Sequence, residues 1–339
     1  MTTPDLVPQP LPVLRLNQGD PSEARVYYCA HFVADALGLF ADEGVAVSFT
    51  TTESGGATVR GGQVPAVIDG SADLTIGGPM VTMKIHEERG PRLVSFCAAV
   101  AANPWVLAAR APEPGFRLSD LRGRRVLDIA NIGTATLCFR WLAARAGLAE
   151  ADMALIPGSG SHEADLDAVA SGAVDYALHS LHALGPAIAE GRLALVQDLA
   201  GPTGAVPWSA YIARPEAIAA RRPAFLAFTR AIARALAWIG SHEGAEIAAI
   251  IAPRYPFQSR AALETIIAGY RKAGAFAAGP LIPRADFDHF AAILAAIGWI
   301  GAPPPYAELV EAGLAREAVR SRPDAVSDAD PERTPSWTR

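Results

Sequence analysis

The feature that most constrains the fold is a pattern of glycine, aspartate and apolar residues that occurs twice along the chain. In the first copy, Gly70-Ser71-Ala72-Asp73-Leu74 ends a predicted helix and leads into an apolar strand at 72–76. In the second, Gly172-Ala173-Val174-Asp175-Tyr176 leads into an apolar strand at 174–178. Helices commonly end on glycine, and a short apolar run is typical of a buried strand. The pattern therefore predicts two copies of one α/β unit, facing each other across a ligand site.

Each copy also contains a strand followed by a glycine-bearing loop that begins a helix. In the first copy the strand is 45–50 and the loop is 54–56. In the second the strand is 153–156 and the loop is 158–162. We expect the strand ends and loops of each copy to lie side by side at one edge of a sheet.

Two further apolar strands, at 104–110 and 207–214, are predicted to cross between the lobes. Beyond them, Ala-rich runs at helical spacing predict an almost wholly helical region up to residue 314. The predicted fold class is α/β, with two lobes that each hold a mixed sheet flanked by helices. The predicted boundaries are 12–104 with 212–315 for lobe I, 105–211 for lobe II, and 1–11 and 316–339 for flexible tails.

Composition excludes several classes of protein. The chain has 339 residues, of which 51% are hydrophobic and 19% charged, so a compact folded protein is expected. Its net charge of −6 argues against a general nucleic-acid binder, which needs a basic face. The three cysteines, Cys29, Cys97 and Cys138, have neither disulfide-framework nor zinc-motif spacing.

Targeting signals are also not found in the sequence. No run of eighteen apolar residues predicts a membrane span. The first residues lack a basic segment followed by an apolar one, so no signal peptide is predicted. As written, the chain is expected in the cytoplasm, or in the periplasm if translation starts further upstream.

Several short motifs follow one another in an order that is found in a known family. They are Gly38-Leu39-Phe40, Ser54-Gly55-Gly56, Gly70-Ser71-Ala72-Asp73, Gly77-Gly78-Pro79 and Ser119-Asp120-Leu121-Arg122-Gly123. With these motifs, residues 12–315 resemble the solute-binding proteins of nitrate, sulfonate and thiamine-precursor ABC transporters, the SsuA/THI5-like (NMT1) family.

The resemblance implies a periplasmic-binding-protein-like fold of type II, with two hinge strands and a ligand cleft. It implies a solute-binding protein that closes its lobes on a small anionic or aromatic organic molecule for ABC-type uptake. The expected partners are this small-molecule ligand and, as a candidate, an ABC permease. We expect a monomer without a cofactor, a metal or a nucleic-acid partner.

The same family contains enzymes, which leaves an alternative open. A desulfinase of the family has a catalytic cysteine in a helix-entry loop, where this chain has Cys29, followed two residues later by His31. A helix N-terminus lowers the pKa of a thiol. The chain departs from the desulfinase pattern because loop 51–58 has no histidine and Thr75 replaces an arginine. The pyrimidine-synthesis enzyme of the family has a cysteine-rich iron motif that is not found here.

The candidate ligand-binding groups are of two kinds. Backbone amides at helix starts and glycines that allow close approach favour an anionic group or a ligand near the backbone. These residues are Ser54, Gly55 and Gly56 in the first lobe, Gly77 and Gly78 after a buried strand, and Asn131, Gly133, Thr134 and Thr136 in the second lobe. The alternative is that they are ordinary helix caps and turns.

The second kind of candidate ligand-binding group consists of side chains. Tyr27, Tyr28 and Trp208 are candidates for aromatic walls of the cleft, and Cys29 for a ligand contact or a small buried residue. His179 and His182 come at a strand end, and His162 begins a neighbouring helix. Three imidazoles on adjacent loops can bind a metal, contact a ligand or form local hydrogen bonds. We expect ligand contact by His179 or His182 and no metal.

Overall fold

The computed structural model describes residues 10–19, 25–52, 63–129 and 133–320 of the chain. These residues form two lobes, each built around a five-stranded sheet. The strands are β1 (Val13–Asn17), β2 (Ala46–Thr50), β3 (Leu74–Gly77), β4 (Val94–Val100), β5 (Trp105–Ala109), β6 (Arg125–Asp128), β7 (Ala154–Pro157), β8 (Tyr176–Ser180), β9 (Ala194–Asp198) and β10 (Ser209–Ala213).

Both sheets follow one plan. The first has the strand order β2-β1-β3-β10-β4 and the second β7-β6-β8-β5-β9. β1 is parallel to β2 and β3, just as β6 is parallel to β7 and β8. In each sheet the fourth strand, β10 or β5, is antiparallel to both neighbours. This confirms the predicted class, α/β with two lobes that each hold a mixed sheet.

The repeated glycine and aspartate have the same structural role in both lobes. In the first, Arg15 on β1 donates through its backbone N–H to Asp73 Oδ2 (2.8 Å) and through Nη2 to the Gly70 carbonyl (2.8 Å). In the second, Arg125 on β6 donates through its backbone N–H to Asp175 Oδ2 (2.8 Å), and its Nη2 reaches Asp175 Oδ1 (3.0 Å). Each arginine therefore ties its own strand to the end of the helix that leads into the neighbouring parallel strand.

The helices surround the two sheets. They are α1 (Ala30–Ala36), α2 (Leu39–Asp42), α3 (Val64–Asp69), α4 (Pro79–Glu87), α5 (Gly133–Arg145), α6 (His162–Ala170), α7 (Leu181–Ala189), α8 (Ala200–Thr203), α9 (Pro215–Ala220), α10 (Arg222–Ser241), α11 (Gly244–Ile251), α12 (Arg260–Lys272), α13 (Arg284–Ala296), α14 (Tyr306–Leu309) and α15 (Ala312–Arg320). α10 and α11 pack on α1 in the first lobe, whereas α12 contacts both α11 and α7, and α13 contacts α4 and α5. The C-terminal helices therefore bridge the two lobes.

The chain crosses between the sheets twice, at 101–104 and at 199–208. The two crossings are tied together because the Asn103 side-chain amide donates to Thr203 Oγ1 (3.1 Å) and both residues are buried. Asn103 Oδ1 also accepts from the Trp105 backbone N–H (3.1 Å) at the start of β5. This arrangement fits a two-strand hinge.

Several elements differ from the sequence-based expectation. β10 pairs with β3 and β4, so residues 209–211 lie in the first sheet, although the predicted boundary placed them in lobe II. α15 continues to Arg320 and buries Ala318, so residues 316–320 are helical and not part of a tail. Among the described residues, no helix is long and apolar enough to cross a membrane.

Candidate functional site

Seven residues from both lobes meet where β8 ends and α7 begins. We call them the junction cluster: Tyr27, Tyr28, Trp105, His179, Ser180, His182 and Tyr270. The ring of Tyr27 joins the lobes, since its centroid lies 4.8 Å from Tyr28, 5.3 Å from His182 and 5.7 Å from Tyr270. Of the sequence-based candidates, the structure therefore brings Tyr27, Tyr28, His179 and His182 together.

A chain of hydrogen bonds runs through the cluster. His179 Nδ1 lies 2.9 Å from Ser180 Oγ, and Ser180 Oγ lies 3.1 Å from His182 Nε2. His182 Nδ1 lies 3.2 Å from the hydroxyl of Tyr270. That hydroxyl also accepts the His182 backbone N–H at 3.0 Å. These hydrogen bonds fix the orientation of the three buried side chains in the chain, those of Ser180, His182 and Tyr270.

The backbone sets the tautomer of His179. The Ser180 N–H donates to His179 Nδ1 at 2.7 Å, so Nδ1 acts as an acceptor. Burial lowers the pKa of His179 to about 3, so the imidazole is neutral at pH 7. A neutral imidazole carries one proton, and in His179 this proton must be on Nε2. The ring therefore has one N–H donor, at Nε2.

The Nε2–H group of His179 is a hydrogen-bond donor without an acceptor in the described structure. None of the described residues accepts a hydrogen bond from it, and the side chain is partly exposed. The imidazole stacks on the Trp105 indole with a centroid distance of 5.1 Å and an interplanar angle of 11°, which holds the ring in place. His162 stands edge-on to it at 6.0 Å. A ligand with a carbonyl, carboxylate or sulfonate oxygen would complete this site.

The buried members of the cluster stay neutral. Burial lowers the pKa of His182 well below its usual value, and the nearby His179 and Arg25 act in the same direction. Burial likewise raises the pKa of the Tyr27 and Tyr270 hydroxyls. The cluster can thus donate and accept hydrogen bonds and stack on flat groups, but it brings no charge of its own at pH 7.

Gly77 and Gly78 have close neighbours from the protein itself. A Cβ on Gly78 would lie 1.8 Å from Met80 Sδ and 3.1 Å from the Trp208 carbonyl. Beside Gly77, the Gln63 side-chain amide donates to the Ile76 carbonyl at 2.6 Å. Gly78 therefore leaves room for Met80 and the chain near Trp208, whereas a Cβ on Gly77 would lie 3.6 Å from Gln63 Nε2, in ordinary van der Waals contact. Sequence analysis missed Gln63, since no local pattern marks a side chain that reaches a distant strand end.

The other predicted ligand contacts are placed as follows. Ser54, Gly55, Gly56 and Asn131 lie outside the described residues. Gly133 begins α5 and Thr134 is partly exposed there. The Thr136 hydroxyl donates to the Asp128 carboxylate at the end of β6. Trp208 is buried and faces Phe290 of α13 at 5.9 Å. Ligand contact by these residues stays a prediction.

Cys29 and His31 are buried in the first lobe. Burial raises the pKa of the Cys29 thiol to about 12, so it is protonated at pH 7. His31 has no exposed surface, and its Nδ1 lies 3.2 Å from the Tyr211 hydroxyl. Burial lowers the pKa of His31 to about 3. A protonated, inaccessible thiol is a poor nucleophile, so this arrangement does not favour the enzyme alternative.

Two further features bear on the location of the site. Within the described part of the chain, no group of three or more His, Cys, Asp or Glu side chains could hold a metal ion. A separate surface hollow of about 680 Å³ lies among α10, α11 and α12, and its lining residues Phe276 and Ala277 pair with the end of β4. Its walls include Gly240, Ala268 and Arg271, whose guanidinium already contacts Glu243 Oε2 at 3.5 Å.

Comparison with known proteins gives one family. A family model described as NMT1/THI5 like matches residues 26–244. YtlA of Bacillus subtilis (strain 168), a candidate binding protein, is 21% identical over 300 residues, which are 88% of each chain.

Solved structures share the fold at low sequence identity. The periplasmic aliphatic sulphonate binding protein SsuA of Escherichia coli has a TM-score of 0.64 and 16% identity, with 88% of this chain and 92% of SsuA covered. The desulfurization enzyme DszB also has a TM-score of 0.64 and 16% identity, with 92% of this chain and 100% of DszB covered. The same fold therefore occurs both in a binding protein and in an enzyme.

Proposed function

The chain belongs to the NMT1/THI5-like family, and we propose that it is a solute-binding protein for ABC-type uptake. It shares the two-lobed periplasmic-binding-protein fold with its structural neighbours. In this proposal the lobes enclose a small organic molecule that is anionic or aromatic. SsuA and YtlA are both named for binding, which supports this function over catalysis.

The observation that carries the proposal is the Nε2–H donor of His179, which has no acceptor in the described part of the chain. Its Nε2–H is held beside the Trp105 ring, at the end of a central strand and at the junction of both lobes. We assign this donor to an oxygen of the ligand, and the indole and imidazole edges to the walls around a flat or apolar part. Ligand sites of this kind combine apolar walls with a few polar groups.

We assign a charged group of the ligand to backbone amides at 54–56 and at 131–134, which the sequence predicts to lie at helix starts, where anions are favoured. Tyr27, Tyr28, Gly77, Gly78, Thr136, His182 and Trp208 complete the proposed site, and Cys29 lies beneath it.

The proposed function also implies a division into lobes, an oligomeric state and a cellular compartment. We infer two lobes close to the predicted limits, 12–104 with 212–315 and 105–211, moving as units about the two crossings. A monomer that presents both lobes to an ABC permease is the proposed working form. Such a role places the protein in the periplasm, and cell fractionation would test this.

A thermal-shift screen tests the function. The purified protein would be heated with alkanesulfonates, aromatic sulfinates, aromatic carboxylates, nitrate and pyrimidines, because a ligand that binds the folded state raises the melting temperature. Mass spectrometry of each sample then shows whether the compound is intact. A shift with the compound intact supports the proposal. A shift with the compound consumed would replace it with an enzyme.

A pair of histidine variants tests the site. His179→Phe keeps a ring for Trp105 to stack on and removes the Nε2–H donor. Hydrogen bonds to charged groups contribute about 1.5–3 kcal/mol, so affinity for an anionic hit should fall at least about tenfold. His242→Phe is the matched control, since His242 stacks on Trp238 at 4.0 Å and, among the described residues, makes no hydrogen bond or ring contact with the junction cluster. Equal affinity in both variants would exclude His179 as a ligand contact.

A further inference from the structure

We propose that Tyr270 is a positioning residue of the ligand site, acting through His182 and Ser180 on His179. The inference rests on the proposed function in one respect, namely that His179 meets the ligand. Tyr270 belongs to the C-terminal helix α12 and is 1% exposed, so it does not itself reach a ligand. Its hydroxyl instead sets the direction of the hydrogen bonds that end at His179.

The proposed direction rests on the protons that each group carries. His179 Nδ1 accepts the Ser180 backbone N–H and carries no proton, so in its 2.9 Å contact with the Ser180 hydroxyl the hydroxyl donates and shares the single lone pair of Nδ1 with that N–H. With its proton used there, Ser180 Oγ accepts from His182 Nε2–H. His182 Nδ1 then has no proton and accepts from the Tyr270 hydroxyl. In this arrangement all the bonds point from Tyr270 toward His179; in the reverse one, Ser180 donates to His182 Nε2 and His182 Nδ1–H donates to Tyr270.

Without the Tyr270 hydroxyl, the direction of these hydrogen bonds would no longer be fixed. His182 would then have no donor at Nδ1, and its bond to Ser180 could run either way. In the reverse arrangement the Ser180 hydroxyl turns toward His182, and His179 Nδ1 keeps only the backbone N–H as donor. Tyr270 thus adds the Ser180 hydroxyl to the backbone N–H and the Trp105 stack, which already hold the His179 ring.

Close helix packing keeps Tyr270 at its place. A Cβ on Gly269 would lie 2.2 Å from Leu181 Cδ2, and a Cβ on Gly185 would lie 2.3 Å from Ile266 Cγ1. Each helix therefore has a glycine opposite a large side chain of the other. Leu181 and Gly269 directly precede His182 and Tyr270, so this contact fixes the spacing of the two hydrogen-bonding residues. The ligand site of one lobe is in this way supported by a helix that packs on the other.

Tautomers can be read directly by nitrogen NMR. Long-range ¹H–¹⁵N spectra of the ligand-free, ¹⁵N-labelled full chain at pH 7 distinguish Nδ1–H from Nε2–H imidazoles, and the His179→Phe and His182→Gln variants assign the signals. In the wild type, both His179 and His182 should be single Nε2–H tautomers. In Tyr270→Phe, His182 should become a mixture of tautomers and the His179 Nδ1 resonance should shift.

Two further variants serve as a control and as a substitute for Tyr270→Phe. Tyr306→Phe is the control, because the Tyr306 hydroxyl also makes a buried hydrogen bond, to the Ile282 carbonyl at 2.8 Å, and should change neither histidine. Should Tyr270→Phe not fold, Ser180→Ala serves instead: it should shift the His179 resonance and leave His182 as the Nε2–H tautomer. An Nδ1–H tautomer for His182 in the wild type, or unchanged signals in Tyr270→Phe or Ser180→Ala, would overturn the proposal.

These spectra need no ligand, so they separate the two proposals. Equal ligand affinity in His179→Phe and the wild type would refute the proposed ligand contact even if the tautomers are as expected. Unchanged tautomers would refute the role of Tyr270 even if a ligand binds at His179.

Discussion

The contact between α7 and α12 makes a quantitative prediction about Gly269. Glycine is an unfavourable residue in a helix, and replacement by alanine at an unobstructed helical position stabilises by up to about 1 kcal/mol. At Gly269, however, the new Cβ would lie 2.2 Å from Leu181 Cδ2, far inside van der Waals contact. Leu181 is only 3% exposed, so it cannot move away freely.

The expected magnitude follows from these two opposing effects. An extra methyl in a packed region costs about 1–3 kcal/mol, and the helix propensity of alanine returns up to about 1 kcal/mol. Gly269→Ala should therefore destabilise the protein by about 0–2 kcal/mol. The matched control is Gly240→Ala in α10, where a Cβ meets nothing within 4 Å and stabilisation is expected.

Urea unfolding of the two variants and the wild type would measure the difference. A third comparison isolates the contact: in a Leu181→Ala background the obstructing methyl is gone, so Gly269→Ala should become neutral or stabilising. Such a double-mutant cycle reports the pair directly. If Gly269→Ala stabilises as much as Gly240→Ala, or costs the same with and without Leu181, the close packing described between α7 and α12 is refuted.

Three further predictions concern buried and repeated groups. Cys29, with a pKa raised to about 12 by burial, should react with iodoacetamide only after unfolding; rapid labelling of the native protein would contradict this and favour an enzyme. Burial lowers the pKa of His31 from 6.5 to about 3, so as the pH drops the unfolded chain binds a proton at this histidine before the folded protein does. At pH values below 6.5, His31 should therefore lower the free energy of unfolding by about 1.4 kcal/mol for each pH unit. An unchanged acid dependence of the melting temperature in His31→Phe would refute that. Asp73→Asn should cost about 1–2 kcal/mol in urea unfolding. Asp175→Asn should cost less, since the Asp175 side chain is 24% exposed against 11% for Asp73; equal costs would contradict the ranking.

Local sequence patterns were enough to predict the two lobes. Gly70 and Gly172 have φ of 83° and 80°, conformations that glycine adopts easily, so their positions mark the helix ends in both copies. The apolar runs that follow are buried central strands, which a one-dimensional pattern identifies well. The sequence analysis did not identify β9 at 194–198, a partly exposed edge strand whose apolar run, 193–196, is short and is followed by the polar Gln197 and Asp198.

The candidate site was only partly predictable for a different physical reason. Tyr27, His179 and His182 were recognised because they lie at strand ends or helix starts. Tyr270 was not, because it is one apolar position in an ordinary amphipathic helix and meets His182 across 88 residues of sequence. Helical periodicity says that such a side chain is buried, but not which residue it contacts.

The most direct test of the proposed site is a crystal structure with a compound that the thermal-shift screen identifies. We expect the compound intact between the lobes, with one of its oxygens about 2.7–3.2 Å from His179 Nε2. Density for the compound in the hollow beside Arg271 instead, or a product covalently attached to Cys29, would contradict the assignment of this protein as a solute-binding protein with its site at the junction cluster.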